Sequence, residues 1–162
     1  MKFIGMLFLL IFFLGCSNRT LVYTKNNLPL VEESKEKSVS LFMLNNYTDT
    51  PRAGMRSANI IEGILLTKGY KVQNHITTEI MYVQTAQKIA QKESTDYFLI
   101  GGVSEWRYKT GIDGEPAVSL QCSMYETNTS KLIWSATGAD SDWGVGSIGT
   151  TAQDLLETMM YN

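Results

Sequence analysis

Between Ala117 and Glu126 the apolar residues Val118, Leu120, Cys122 and Met124 alternate with Ser119, Gln121, Ser123 and Tyr125. Successive side chains of a strand point to opposite faces, so this period of two predicts a strand with one face in a core and the other turned to water. Such a strand needs paired neighbours and a cover for its apolar face. The turn Thr127-Asn128-Thr129-Ser130 and the run Leu132 to Thr137 supply the first neighbour as a hairpin. With 162 residues, 44% hydrophobic and 19% charged, the chain suffices for one ordinary domain. Three Pro and 13 Gly are too few for a disordered or fibrous chain.

The same pattern reading extends upstream. Val39 to Leu44 is an apolar run of strand length, closed by the turn-rich stretch Asn45 to Pro51. From Ala53 to Lys68, Ala58, Ile61, Leu65 and Leu66 recur at helical spacing, and Gly69 is the stop. Tyr70 to Val72 forms a short strand; Ile80, Val83, Ala86, Ile89 and Ala90 mark a second helix ending near Lys92. Tyr97 to Ile100 and Val103 to Tyr108 form a long strand around Gly101-Gly102, a pair that signals a bulge or a close backbone approach. After a Gly-rich loop from Gly138 to Gly146, Ile148, Ala152, Leu155, Leu156 and Met159 line one face of a C-terminal helix. The expected fold class is α/β: a mixed β-sheet of about five strands with covering helices, in the order β-α-β-α-β-β-β-α.

The N-terminus sets the compartment. Met1-Lys2, the apolar run Phe3 to Leu14 and the junction Gly15-Cys16 read as a signal peptide. Twelve residues rise only about 18 Å as a helix, short of the roughly 30 Å hydrocarbon core. Phe13-Leu14-Gly15-Cys16 resembles a bacterial lipobox, which makes Cys16 the acylated first residue of the mature chain. The alternative is an ordinary secretory signal with a chance cysteine. Ser17 after the cysteine resembles the outer-membrane sorting pattern, and multiple acyl chains give a stable anchor in outer-membrane lipid. The domain reading is therefore residues 1–15 signal peptide, 16–37 acylated Cys and polar tether, and 38–162 a single α/β domain.

Charge is unevenly distributed. Residues 16–92 hold ten basic and six acidic groups, whereas residues 93–162 hold three basic and ten acidic ones. The second half, at net −7, argues against nucleic acid as a partner and suits a cationic one, although a solvated acidic surface accounts for it equally. Catalytic and metal signatures are missing. One His and two Cys leave a zinc site short of ligands. No nucleophile elbow, P-loop or H-E-x-x-H motif occurs. His75 reads as a solvated loop residue and Cys122 as a small core hydrophobe. Gly144 to Gly149 matches G-x-G-x-x-G, but no strand and acidic residue follow it as a dinucleotide site requires. Asp140-Ser141-Asp142 opens like a calcium loop and then departs from it at the twelfth position, Thr151. Asn128 lies in a glycosylation sequon that turn chemistry explains as well. Trp106 and Trp134 fall in strands and read as core; Trp143 sits in a loop of small and acidic residues, where it rests at a membrane interface or folds back on its own core. No enzyme, metal or cofactor is expected.

Three segments carry a family resemblance: Thr50-Pro51-Arg52-Ala53-Gly54-Met55-Arg56-Ser57-Ala58, Gly102 to Tyr108, and Leu132 to Gly138. In this order they resemble the PelC family, outer-membrane lipoproteins of Pel exopolysaccharide export in biofilms, over about Val39 to the C-terminus. The resemblance implies a homo-oligomeric ring on the periplasmic face of the outer membrane, beneath a PelB-type β-barrel porin. The ring would funnel a cationic, partly deacetylated amino-sugar polymer. It further implies Asp113 as the acidic rim and Trp143 as the membrane contact, with Glu115, Asp140 and Asp142 as lesser acidic positions. The strand-loop-helix opening is shared with the LpoB group, which implies the alternative of a lipoprotein activator of a periplasmic cell-wall synthase. A tether of about 20 residues spans roughly 25 Å as a coil, too short to cross a cell wall. A channel of the CsgG kind would need several long alternating barrel strands, and only one strand is long enough.

Overall fold

The computed structural model describes residues 20–27, 37–75, 80–109, 114–142 and 146–161. Seven strands form one sheet: β1 (Leu21–Lys25), β2 (Lys37–Phe42), β3 (Asn45–Asn46), β4 (Tyr70–His75), β5 (Tyr97–Tyr108), β6 (Pro116–Glu126) and β7 (Leu132–Ser141). Three helices cover it: α1 (Ala53–Thr67), α2 (Val83–Glu93) and α3 (Ile148–Tyr161). The spatial order is β1-β7-β6-β5-β2-β4, with β3 paired to β5 off this path. β2 runs parallel to β4 and β5, whereas β5, β6, β7 and β1 are successively antiparallel. The sheet is therefore mixed, and β5 is where it changes sense.

The expected α/β class and element order hold, with two added strands. Leu21–Lys25 pairs with β7 at the sheet edge and so belongs to the fold, not to a tether. Most of its side chains stay exposed, which is why it carries no apolar alternation. The sheet thus includes residues 21–25, upstream of the expected domain start at residue 38. β3 is two residues long, below the reach of any periodicity.

The main core lies between the sheet and the pair α1 and α3, and includes Val39, Leu41, Ile61, Leu65, Trp106, Trp134 and Leu155. α2 covers the other face only over β2 and β5, where Phe42, Met81, Ala86, Ala90 and Phe98 form a second, small cluster. Two expected packing positions fall elsewhere. Leu66 points outward at 54% exposure while Ile64 is buried, and Ile80 precedes α2 and is exposed. The apolar stripe of α1 is narrower than its composition suggests.

Close approaches are made by glycines. A Cβ on Gly101 would lie 2.2 Å from the Gln121 carbonyl oxygen, and one on Gly102 would lie 2.7 Å from the Tyr47 ring. The Gly pair thus serves contact, and the bulge lies two residues on, between Val103 and Glu105. Gly54 is the tightest case: a Cβ there would sit 1.8 Å from the Leu44 carbonyl oxygen, because the first turn of α1 passes directly over the chain leaving β2. Gly63, in the middle of the same helix, has nothing within 4 Å of that position. The two glycines predict opposite outcomes. Gly54→Ala should destabilise by about 1–3 kcal/mol or more through forced backbone displacement. Gly63→Ala should stabilise by about 0.5–1 kcal/mol through helix propensity. Thermal unfolding of the two full-length variants checks both signs.

Cys122 is fully buried on the core face of β6, and desolvation pushes its thiol up to about 12. The thiolate is the reactive species, so thiol reagents at pH 8 should label Cys122 roughly a thousandfold more slowly in the native chain than after unfolding. Comparable rates in the two states would contradict this burial.

Candidate functional site

Among the described residues, no helix covers the face of the sheet opposite α3 over β6, β7 and β1. Pairing register lays out its rows: Gly102–Gln121–Thr137–Tyr23, and Ile100–Ser123–Ser135–Lys25. The polar half of the alternating strand therefore lies on this face as a hydroxyl and amide floor, with Gln121 exposed, Ser119 half-buried and Ser123 buried. Ser123 and Ser135 hydroxyls lie 2.9 Å apart, the Gln121 amide donates to Ser123 Oγ at 2.6 Å, and Ser104 Oγ donates to Ser119 Oγ at 3.0 Å.

The bulge at Ser104 changes what lies on this face. Before it, odd-numbered residues such as Leu99 and Val103 enter the main core; after it Trp106 does, and Glu105 and Arg107 turn outward. Arg107 donates from Nε (3.0 Å) and Nη2 (2.9 Å) to the same oxygen, Glu105 Oε1. Beside them the segment from Tyr47 to Thr50 continues β3. Its Tyr47 N–H donates to the Val103 carbonyl at 2.9 Å, and its Thr50 hydroxyl bonds to the Trp106 carbonyl. Asp49 is exposed there and makes no hydrogen bond or ion pair with any described residue.

The far end of β5, the start of β6, the end of β7 and the starts of α1 and α3 meet at one end of the sheet. Asp113 and Trp143 lie outside the described residues, as does Cys16. The described chain leaves and resumes around Asp113 at Lys109 and Gly114, and around Trp143 at Asp142 and Gly146, all at this end. Glu115 is here too, but its carboxylate is only 12% exposed and is paired with Lys109 Nζ at 3.1 Å. Asp140 lies on β7 with Oδ1 buried and unpartnered among the described residues. Asp142 packs its carboxylate against Gly146, where a Cβ would lie 1.9 Å from Oδ2.

Several alternatives lose their geometry. Asp140 and Ser141 are strand residues, not an open ion-binding loop, and no group of three His, Cys, Asp or Glu that could hold a metal occurs among the described residues. At the start of α3, Ser147 Oγ accepts from the Thr150 N–H at 3.2 Å and the Ser147 carbonyl accepts from the Thr151 N–H at 3.0 Å. The amides that a phosphate would need are thus engaged by the helix's own cap. His75 is on β4 rather than in a loop: its Nε2 lies 2.9 Å from Glu93 Oε2 and its ring stacks on Phe42 at 4.6 Å. Ser40 Oγ donates to the same carboxylate at 2.9 Å, so the carboxylate stands between Ser and His and no nucleophile–base pair exists. Asn128 is exposed in the β6–β7 turn, where the neighbouring Thr129 hydroxyl bonds to Glu126.

Sequence reading missed Tyr47, Asp49, Glu105 and Arg107 as surface groups. Tyr47 and Asp49 lay in a stretch read only as a loop, and the phase change at Ser104 hid the outward direction of Glu105 and Arg107.

No protein-family model and no curated protein sequence matches the chain. Solved structures do. A PelC dodecamer from Paraburkholderia phytofirmans is 27% identical, with a TM-score of 0.74 over 88% of this chain and 98% of that one. A single-substitution variant of the same dodecamer is 28% identical, with a TM-score of 0.75 over 86% of this chain and 94% of that one. The lipoprotein GNA1162 from Neisseria meningitidis, at 16% identity and a TM-score of 0.55 over 75% of this chain and 96% of that one, shares the fold alone. In fold and in sequence, this chain is PelC-like.

Proposed function

We propose that this chain is an outer-membrane-anchored periplasmic lipoprotein that assembles into a ring and funnels cationic Pel exopolysaccharide toward a PelB-type porin. The observation that carries the reading is the likeness to PelC dodecamers over most of both chains. The net −7 of residues 93–162 suits a polycationic cargo, and guiding it requires no covalent chemistry. Asp113 is the acidic rim, with Glu115 beside it and partly neutralised by Lys109.

The position of β1 supports the membrane contact at Trp143. If Cys16 carries the lipid, only residues 17–20 separate it from Leu21, and five backbone steps span at most roughly 18 Å. Leu21 pairs with Ala139, near the end of β7, so the anchor holds that end of the sheet within a short leash of the bilayer. The segment containing Trp143 departs from the same end, where an amphipathic ring is favoured at the interface.

Three measurements test this reading. Light scattering of the full chain in detergent should give one discrete large oligomer over a range of concentrations; a monomer throughout would overturn the ring. Asp113→Asn should lower polymer export while leaving folding and localisation intact, and Trp143→Ala should weaken liposome binding without dissolving the ring. Unchanged export or unchanged binding removes the corresponding residue from its role.

A further inference from the structure

Three hollows lie in a row on the open sheet face. The first, of about 170 Å³, is lined by Asn45, Tyr47, Gly102, Gln121, Ser123 and Tyr125. The second, of about 410 Å³, shares Tyr47 with it and adds Asp49, Ser104, Glu105, Arg107 and Ser119. The third, of about 160 Å³, shares Glu105 with the second and adds Lys109, Ala117, Asp140 and Ser141. Together they follow β5 from Ile100 to Lys109, nine residues or roughly 30 Å at strand rise. The row ends at the sheet end that the lipid leash holds near the bilayer.

The lining is selective in its chemistry. Tyr47 rests its ring on the backbone of Gly102, where a Cβ would lie 2.7 Å from the ring, and leaves 65% of the residue exposed between the first two hollows. A flat amphipathic ring in that position offers apolar area to the C–H face of a sugar and an electron-rich face to an ammonium group. The first hollow is uncharged, with amides and hydroxyls that match a neutral, acetamido-bearing sugar. The second adds the carboxylate of Asp49 and the Oε2 of Glu105, neither of them paired among the described residues, which match a sugar bearing an ammonium. Adjoining hollows with shared walls fit a chain of units better than a single small molecule.

We propose that this face is a glycan track: Tyr47 is the stacking platform, Asp49 and Glu105 take the ammonium of a deacetylated amino sugar, and Gln121, held by the buried Ser123 hydroxyl, takes a neutral sugar beside it. The cargo class rests on the functional reading above, but the site is separate from the Asp113 rim. In an assembly of many copies, weak tracks aligned toward the membrane add by avidity and let a polymer slide.

The test titrates the full chain in detergent with three probes: a partly N-acetylated chitosan hexamer, the fully acetylated hexamer, and spermine. Calorimetry should show the partly acetylated hexamer binding best. Tyr47→Ala should weaken it at least tenfold, and Tyr47→Phe should restore most of it. Asp49→Asn should weaken the partly acetylated hexamer while leaving the fully acetylated one unchanged. Asp154→Asn, exposed on α3 across the sheet from the track, should leave hexamer binding unchanged. Spermine binding as well as the hexamer, or Tyr47→Ala binding like the parent, would overturn the track. So would a change of oligomer mass in Tyr47→Ala, since it would make this face a contact between copies. A parent chain that forms the ring yet binds no hexamer refutes the track alone, and a monomer that binds the hexamer through Tyr47 refutes the ring alone.

Discussion

One irregular residue, Ser104, decides which chemistry faces water. A strand without the bulge after Val103 would carry its odd-numbered side chains into the main core to its end, placing Glu105 and Arg107 inside and Trp106 outside. Burying Trp106 stabilises the fold by several kcal/mol at about 25 cal/mol per Å² over the 150–250 Å² of an aromatic side chain. Burying a lone Glu costs more than a core can supply. Both preferences point the same way, so the phase change is enforced from both faces. The carboxylates and guanidinium on the open face are its consequence, and so is the lodging of the Tyr47 segment beside them.

The glycines complete what the bulge begins. Gly101 lets β5 lie against β6, Gly102 seats Tyr47, and Gly138 lets α3 settle on β7, where a Cβ would meet Leu155 at 2.7 Å. Gly54 brings the first turn of α1 onto the Leu44 carbonyl. Three of the four stand within the segments that carry the PelC resemblance (Thr50 to Ala58, Gly102 to Tyr108, Leu132 to Gly138), so that resemblance is in part a record of backbone contact. A motif of this kind conveys how elements pack and only indirectly what the surface binds.

What could be read from the sequence follows from where side chains are buried. The alternation of Val118, Leu120, Cys122 and Met124 and the helical spacing of Ala58, Ile61 and Leu65 are visible because each face meets one environment along its length. β1 escaped because an edge strand with mostly exposed side chains has no face to alternate, and β3 because two residues have no period. His75 was misread as solvated because its partners Glu93 and Phe42 are distant in sequence. The open face was half legible: the Ser and Gln positions of β6 followed from period two, whereas Asp49 sits in a loop without a pattern and Glu105 and Arg107 depended on a bulge that periodicity cannot register. Asp113, Trp143 and Cys16 rest on resemblance and on chain length rather than on described contacts.

On the proposed reading, the balance of charge at the end of the sheet where β5 and β7 finish favours an assembly over a single copy. Among the described residues, Asp49, Glu105, Glu115, Asp140 and Asp142 face Arg52, Arg56, Arg107 and Lys109 there, which leaves one net negative charge. A field that weak in one copy is screened over a Debye length of about 8 Å at physiological ionic strength. Repetition around a closed ring changes the situation, because neighbouring fields overlap inside the opening and a polycation meets many such ends at once. In the proposed ring, local pairing of Glu105 with Arg107 and of Glu115 with Lys109 would keep each contact shallow, so that a chain attracted by the whole assembly would not be trapped by any one subunit.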